Sequence, residues 1–225
     1  GNRVVFNTPL VDSTDPGGGN LRHRFAETPP LPTYLLAFAV GPLDIHEAPP
    51  LPGTSLRDRE IPLRAVTVRG KGAQTGYALE QTARIVEALE AYFDVPYPYA
   101  KLDLVASPGN FGAMENAGAI VFPEPLLLVD ESSSPDLLRF FFHIHAHELA
   151  HMWFGNLVTP EWWEDLWLKE SFATWMGARI ADQVRPDLAI ASGFRKYSLA
   201  AISADSSAAS RQIQQPIHDS ALITN

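Results

Sequence analysis

The stretch that decides the fold is His147-Glu148-Leu149-Ala150-His151. It lies in a run that opens with Ser134-Pro135-Asp136: a capping Ser, a Pro at the first helical position and an acid in the first turn. That signature predicts a helix from Pro135 to about Phe154, stopping near Gly155-Asn156. Residues four apart on a helix differ by about 40° in direction, so His147 and His151 stack on one face and can share an ion. Glu148 points about 100° from His147 and about 60° from His151, beside such an ion rather than on it. Two imidazole ligands flanked by a carboxylate base is the arrangement of a zinc hydrolase.

Two ligands are too few, because catalytic zinc takes three protein ligands and keeps one position open. Glu170 is the natural third. Eighteen residues separate it from His151, and it falls in the next predicted helix, about Glu164 to Val184, which ends before Pro186. The Gly155–Trp163 connection is long enough for the two helices to pack antiparallel and bring Glu170 opposite the imidazoles. Glu161, Glu164 and Asp165 compete for that role. His143 also lies four residues from His147, but Ile144 follows it and leaves no flanking base. His143 therefore reads as a packed or supporting residue, and His145, on the other side of the helix, as structural. Asp165 is a candidate hydrogen-bond partner for a ligand imidazole. A third helix is predicted from Asp187 to about Ser203.

Outward toward the N-terminus the chain changes character. Residues 1 to about 60 are rich in Pro and Gly, and Asp15-Pro16-Gly17-Gly18-Gly19-Asn20 reads as a turn. Thr33–Val40 reads as a buried strand closed by Gly41-Pro42. Ala48–Gly53 suits a linker. Further strands are expected at Ile61–Arg69, Lys101–Ala106, Ala119–Phe122 and Leu126–Val129, with a helix at Gly76–Phe93 and a turn at Ser107-Pro108-Gly109-Asn110. Strands first and helices afterwards is the α+β order. The expected division is 1–47, the end of a β-rich N-terminal domain, and 48–225, a catalytic domain truncated at its C-terminal end.

The totals fit that reading. Among 225 residues, 46% are hydrophobic and 19% charged, the balance of a globular chain with a real core. The net charge of -9 argues against nucleic-acid binding, which needs a basic face. No cysteine is present, so any metal is held by His, Asp or Glu. No stretch of eighteen apolar residues suggests a membrane span. Gly1-Asn2-Arg3 is not a signal peptide, and the sequence reads as a piece of a longer chain.

A second motif, Gly112-Ala113-Met114-Glu115-Asn116, follows a strand and a Pro-Gly turn. Alone it is weak, since a loop Glu is most often merely solvated. Together with H-E-x-x-H, eighteen residues and Glu170, it resembles the M1 family of zinc aminopeptidases. The words His151–Thr159, Glu161-Trp162-Trp163 and Asp165–Leu168 match as well. Tyr34–Phe38 is similar to the last strand of the family's N-terminal β domain. The resemblance implies a thermolysin-like zinc peptidase domain with a small mixed sheet and helices. It implies one Zn²⁺ on His147, His151 and Glu170, with Glu148 as catalytic base. It also implies peptide substrates with a free N-terminal amine, gripped by Glu115, and a Gly112-Ala113-Met114 backbone that aligns the first residue. Met152, Lys169 and Ser171 depart from the family's usual Gln, Asn and Gly, and none is expected to touch a ligand. The family's oxyanion-stabilising Tyr would follow a segment like Gln215-Pro216-Ile217 and is expected beyond Asn225, with Tyr197 too early for that role. The alternatives are a non-catalytic zinc-binding scaffold of the same fold, an endopeptidase using the same site, or an inactive fragment.

Overall fold

β-Branched and apolar residues from Leu43 onward build the sheet that carries the site. The computed structural model describes residues 1–109, 112–207, 210 and 212–214, so Asn110 and the Gln215-Pro216-Ile217 segment lie outside the described residues, as does the side chain of Tyr197. The main sheet has four strands: β5 (Leu43–Glu47), β6 (Leu63–Val68), β7 (Leu102–Ser107) and β8 (Ala119–Pro123), in that spatial order. β5 runs antiparallel to β6, whereas β6, β7 and β8 are mutually parallel. Parallel neighbours need a long crossover. The first is helix α1 (Gly76–Phe93), which buries Leu79, Ile85, Val86 and Leu89 along one stripe and ends at Asp94 with φ 54°. β5 lies on the N-terminal side of the expected boundary at residue 48 and is hydrogen-bonded to β6 on the other side.

The N-terminal segment adds two small antiparallel pairs. β1 (Arg3–Phe6) pairs with β4 (Phe38–Gly41), and β2 (Leu10–Gly17) forms a hairpin with β3 (Asn20–Phe25). Gly17, Gly18 and Gly19 all take positive φ at the hairpin tip, where the sequence predicts a turn. The buried strand expected at Thr33–Val40 is not formed. Thr33–Leu35 is a 3₁₀ turn, and strand begins only at Phe38, whose side chain is 76% exposed. The cause is Asn7. Its Nδ2 donates to the carbonyls of Leu35 (2.8 Å) and Ala117 (2.9 Å), and its Oδ1 accepts from Ala37 N–H, which bends the run. The same side chain ties the N-terminal segment to the loop after Asn116, whose Nδ2 in turn donates to Tyr34 O at 3.3 Å.

Helices dominate after β8. The strand expected at Leu126–Val129 is replaced by the single helical turn α2 (Glu124–Leu127), started by Pro125. Pro123 and Pro125 remove the N–H groups that a ladder would need. α3 (Pro135–Ala150) starts where predicted, with Ser134 Oγ accepting from Leu137 N–H. It stops four residues before the expected Phe154, because Gly155 (φ 128°) turns the chain back and pairs its N–H with Val158 O at 2.8 Å. α4 (Leu166–Val184) follows a 3₁₀ turn at Trp163–Asp165, and α5 (Ile190–Asp205) is the last helix among the described residues. The core between sheet and helices holds Leu102, Leu104, Ile120, Phe122, Phe141, Phe142 and Leu149, all essentially inaccessible. The architecture is α+β, as expected. Among the described residues no helix is long and apolar enough to cross a membrane.

Candidate metal centre

The site begins with a close helix crossing. Gly177 of α4 faces His143 and His147 of α3 so tightly that an added Cβ would lie 2.9 Å from His143 O and 3.0 Å from His147 N. This approach sets Glu170, two turns earlier on α4, against the end of α3. His147 Nε2 and His151 Nε2 are 3.1 Å apart, and Glu170 Oε2 is 3.5 Å from the first and 3.4 Å from the second. Zinc–ligand bonds of about 2.0–2.1 Å in a tetrahedron require neighbouring donor atoms about 3.3 Å apart. The three donors therefore have the spacing of one triangular face of such a tetrahedron. Glu161, Glu164 and Asp165 do not enter it; Asp165 accepts from Gln214 Nε2 instead.

Both imidazoles are oriented through their other nitrogen. His151 Nδ1 lies 3.1 Å from Phe154 O, a group that can only accept, so Nδ1 carries the proton and Nε2 presents a lone pair. His147 Nδ1 lies 3.3 Å from Thr174 Oγ1. These partners escaped the sequence reading, which named only Asp165 as a candidate. Phe154 contributes only its carbonyl, and Thr174 sits one turn after Glu170, the one hint the sequence held. Burial pushes the His147 imidazole down, against the opposing pull of Glu170, the direction that favours a free lone pair for a metal. Glu170 is half exposed. Burial works against its ionisation, but the contacts with His147 and His151 and the charge of Lys169 outweigh it, holding the carboxyl well below the usual range.

Glu148 is 6% exposed, and its Oε2 has no hydrogen-bond partner among the described residues. Burial raises its carboxyl well above the ordinary value, and the charges of Glu115 and Glu170 push the same way. A second group of donor atoms, from Glu115, Glu148 and His151, also lies within 4.8 Å of one another. The orphaned oxygen and the three donors together fit a divalent cation with a carboxylate beside it. His143 stays outside both groups. His145 turns into the core, stacked 4.6 Å from Phe122. Thr82 gives its hydroxyl proton to Ala78 O and accepts from His145 Nε2 at 2.7 Å.

The loop from Gly112 to Asn116 folds back on β8. Met114 and Val121 exchange both backbone hydrogen bonds, at 2.8 and 3.0 Å. The backbone of Met114 is thus spent inside the protein, contrary to the expectation that it aligns a substrate. Ala113, just before it, is part-buried and packs against the core. Asn156 Nδ2 donates to Glu115 O at 2.8 Å and fixes the loop against the turn after His151. The Glu115 carboxylate is buried and pairs with Lys169 Nζ, which also lies 3.1 Å from Glu170 Oε1. Lys169 thereby touches both Glu115 and a predicted metal ligand, which the sequence reading did not anticipate. Glu148 of α3, Lys169 and Glu170 of α4 and Glu115 of the loop thus meet in one cluster, buried except for Glu170.

Known proteins share this framework. The chain is 40% identical over 217 residues to aminopeptidase M1-C of Oryza sativa subsp. japonica, covering 96% of this chain and 24% of that protein. Endoplasmic reticulum aminopeptidase 2 of Homo sapiens is 40% identical over 216 residues, 95% of this chain and 22% of its own length. Leucyl aminopeptidase of Saccharolobus solfataricus (strain ATCC 35092 / DSM 1617 / JCM 11322 / P2) is 40% identical over 189 residues, 83% and 23%. The chain thus spans less than a quarter of the length of each of these relatives. Residues 77–225, which hold every side chain of the cluster, match the peptidase family M1 domain, and the chain belongs to that family.

Proposed function

We propose that these residues form the catalytic centre of a zinc metallo-aminopeptidase that hydrolyses the N-terminal peptide bond of peptides. The observation that carries the reading is the triangle of His147, His151 and Glu170 donor atoms at 3.1–3.5 Å, with the Glu148 carboxylate beside it, whose Oε2 has no partner among the described residues. The names of the relatives, all aminopeptidases, point the same way. His147, His151 and Glu170 would hold the ion. Zinc, when bound, supplies a Lewis acid that polarises the scissile carbonyl and acidifies water.

The remaining work belongs to the chain. Glu148, raised in basicity by burial, takes a proton from the attacking water and hands it to the leaving amine. Glu115 grips the substrate α-ammonium by a charge-assisted hydrogen bond in a sheltered setting. This contact explains why a free N-terminus is required, since an acetylated peptide carries no such cation. The backbone of Ala113 aligns the first residue as a short extended partner.

Elemental analysis paired with peptide hydrolysis tests the reading. One zinc per chain is expected in the parent and in Glu148→Gln, with turnover of free-amine peptides reduced at least about a hundredfold in the variant. Near-parental turnover by Glu148→Gln would remove Glu148 from the mechanism. Equal cleavage of acetylated and free peptides by the parent would remove the amine clamp.

A further inference from the structure

Lys169 stands between the two carboxylates on which amine recognition and ligation would depend. Its side chain is 3% exposed. Its Nζ is bonded to Glu115 Oε1, lies 3.1 Å from Glu170 Oε1, and sits 4.7 Å from the centroid of the Tyr34 ring. Two carboxylates and one aromatic face are what a desolvated ammonium group requires. They are also what the α-ammonium of a peptide would require at the same place. The lysine does not swing in from solvent. Its stem packs against the turn after His151, where a Cβ added to Gly155 would lie 3.3 Å from Lys169 Cδ.

We infer that Lys169 is a specificity-determining residue: an internal ammonium that occupies the Glu115 recognition site, so that a substrate α-ammonium binds in competition with it. The inference rests on the reading of Glu115 as the amine site. An incoming ammonium meets a carboxylate already paired and a like charge beside it, and both weaken its capture. Free-amine peptides are therefore held less tightly than the buried carboxylate alone would hold them. A neutral side chain at 169 would leave Glu115 to the substrate alone.

The test uses isoamylamine, a primary ammonium with no bond to hydrolyse, and isoamyl alcohol as its uncharged control. Affinities are measured by calorimetry on the zinc-loaded protein, with zinc content recorded for every variant. Lys169→Met and Lys169→Asn should each bind isoamylamine about tenfold more tightly, with KM for free-amine peptides falling by a similar factor. Isoamyl alcohol and acetylated peptides should bind as in the parent, and Lys169→Arg should resemble the parent for all of them. In the unsubstituted protein, the ¹⁵Nζ resonance of Lys169 should shift when isoamylamine is added. Isoamylamine binding that is unchanged or weaker in both neutral variants overturns the inference. So does saturation of the parent with no change at the Lys169 resonance, a result independent of whether the variants fold. Glu115→Gln separates the two layers. If it leaves isoamylamine affinity at the parental level, the amine-site reading itself has failed. If it weakens that affinity while the neutral variants do not tighten it, only the role of Lys169 falls.

Discussion

His151 Nε2 can face an ion because its Nδ1 is held by Phe154 O, and that carbonyl is in place because Gly155 turns the chain at φ 128°. A Cβ at 155 would lie 2.8 Å from His151 Nδ1, in a backbone region that side chains rarely adopt. Gly155→Ala should therefore push the His151 imidazole out of its orientation while leaving the residue itself in place. The expected outcome is zinc affinity lowered by about 10–100-fold, read by chelator competition. The spacing of His147, Glu148 and His151 was legible in the sequence because the pitch of a helix alone places them. Glu170 was legible because an antiparallel return fixes its reach. Phe154, Thr174 and Lys169 were not, since their roles come from a turn geometry and a helix crossing that no local pattern encodes. Lys169 was misjudged for that reason: read along the chain it merely precedes a candidate ligand, and only packing against the Glu115 loop gives it partners.

At the scale of elements, the pairing of α3 with α4 decides whether three donors meet. Gly177→Ala would set a methyl group against His143 O, His147 N and His147 Cβ at 2.9–3.1 Å. The helices must then separate, at a cost of about 1–3 kcal/mol, and Glu170 must recede from the imidazoles. Urea unfolding of the metal-free protein should show the loss, and zinc affinity should fall with it. Ser134→Ala offers the contrast. It removes the cap on Leu137 N–H at the far end of α3, costing about 1 kcal/mol, and should leave zinc affinity unchanged. A Ser134→Ala variant that lost zinc would show that fraying at the start of α3 reaches the site. Long periodic elements were readable: α1 occupies the predicted residues, and α3 and α4 start within two residues of prediction. Short apolar runs were not. Leu126–Val129 and Thr33–Val40 have strand-like composition, but flanking prolines decide the first and the buried Asn7 side chain the second.

At the scale of the whole molecule, the buried histidines make the fold sensitive to acid. His145 is fully enclosed between Phe122 and Phe141, and burial pushes its imidazole down to about 3 from an ordinary 6.5. Above pH 6.5 neither the folded nor the unfolded chain protonates this residue, so it contributes no pH dependence there. Between pH 6.5 and about 3 the unfolded chain takes up a proton that the folded chain refuses, so stability falls as pH falls. His143, pushed down to about 4 by burial and by His147, adds to the same loss over its own window. One such residue contributes a slope of about 1.4 kcal/mol per pH unit. His145→Gln should keep a hydrogen bond to Thr82 within reach while removing the titration. Its unfolding free energy, measured without metal from pH 7 to 4.5, should therefore fall by about one proton's slope less than the parent's. Parallel curves would mean that the imidazole at 145 is not held neutral by the core, and that the acid sensitivity comes from other groups.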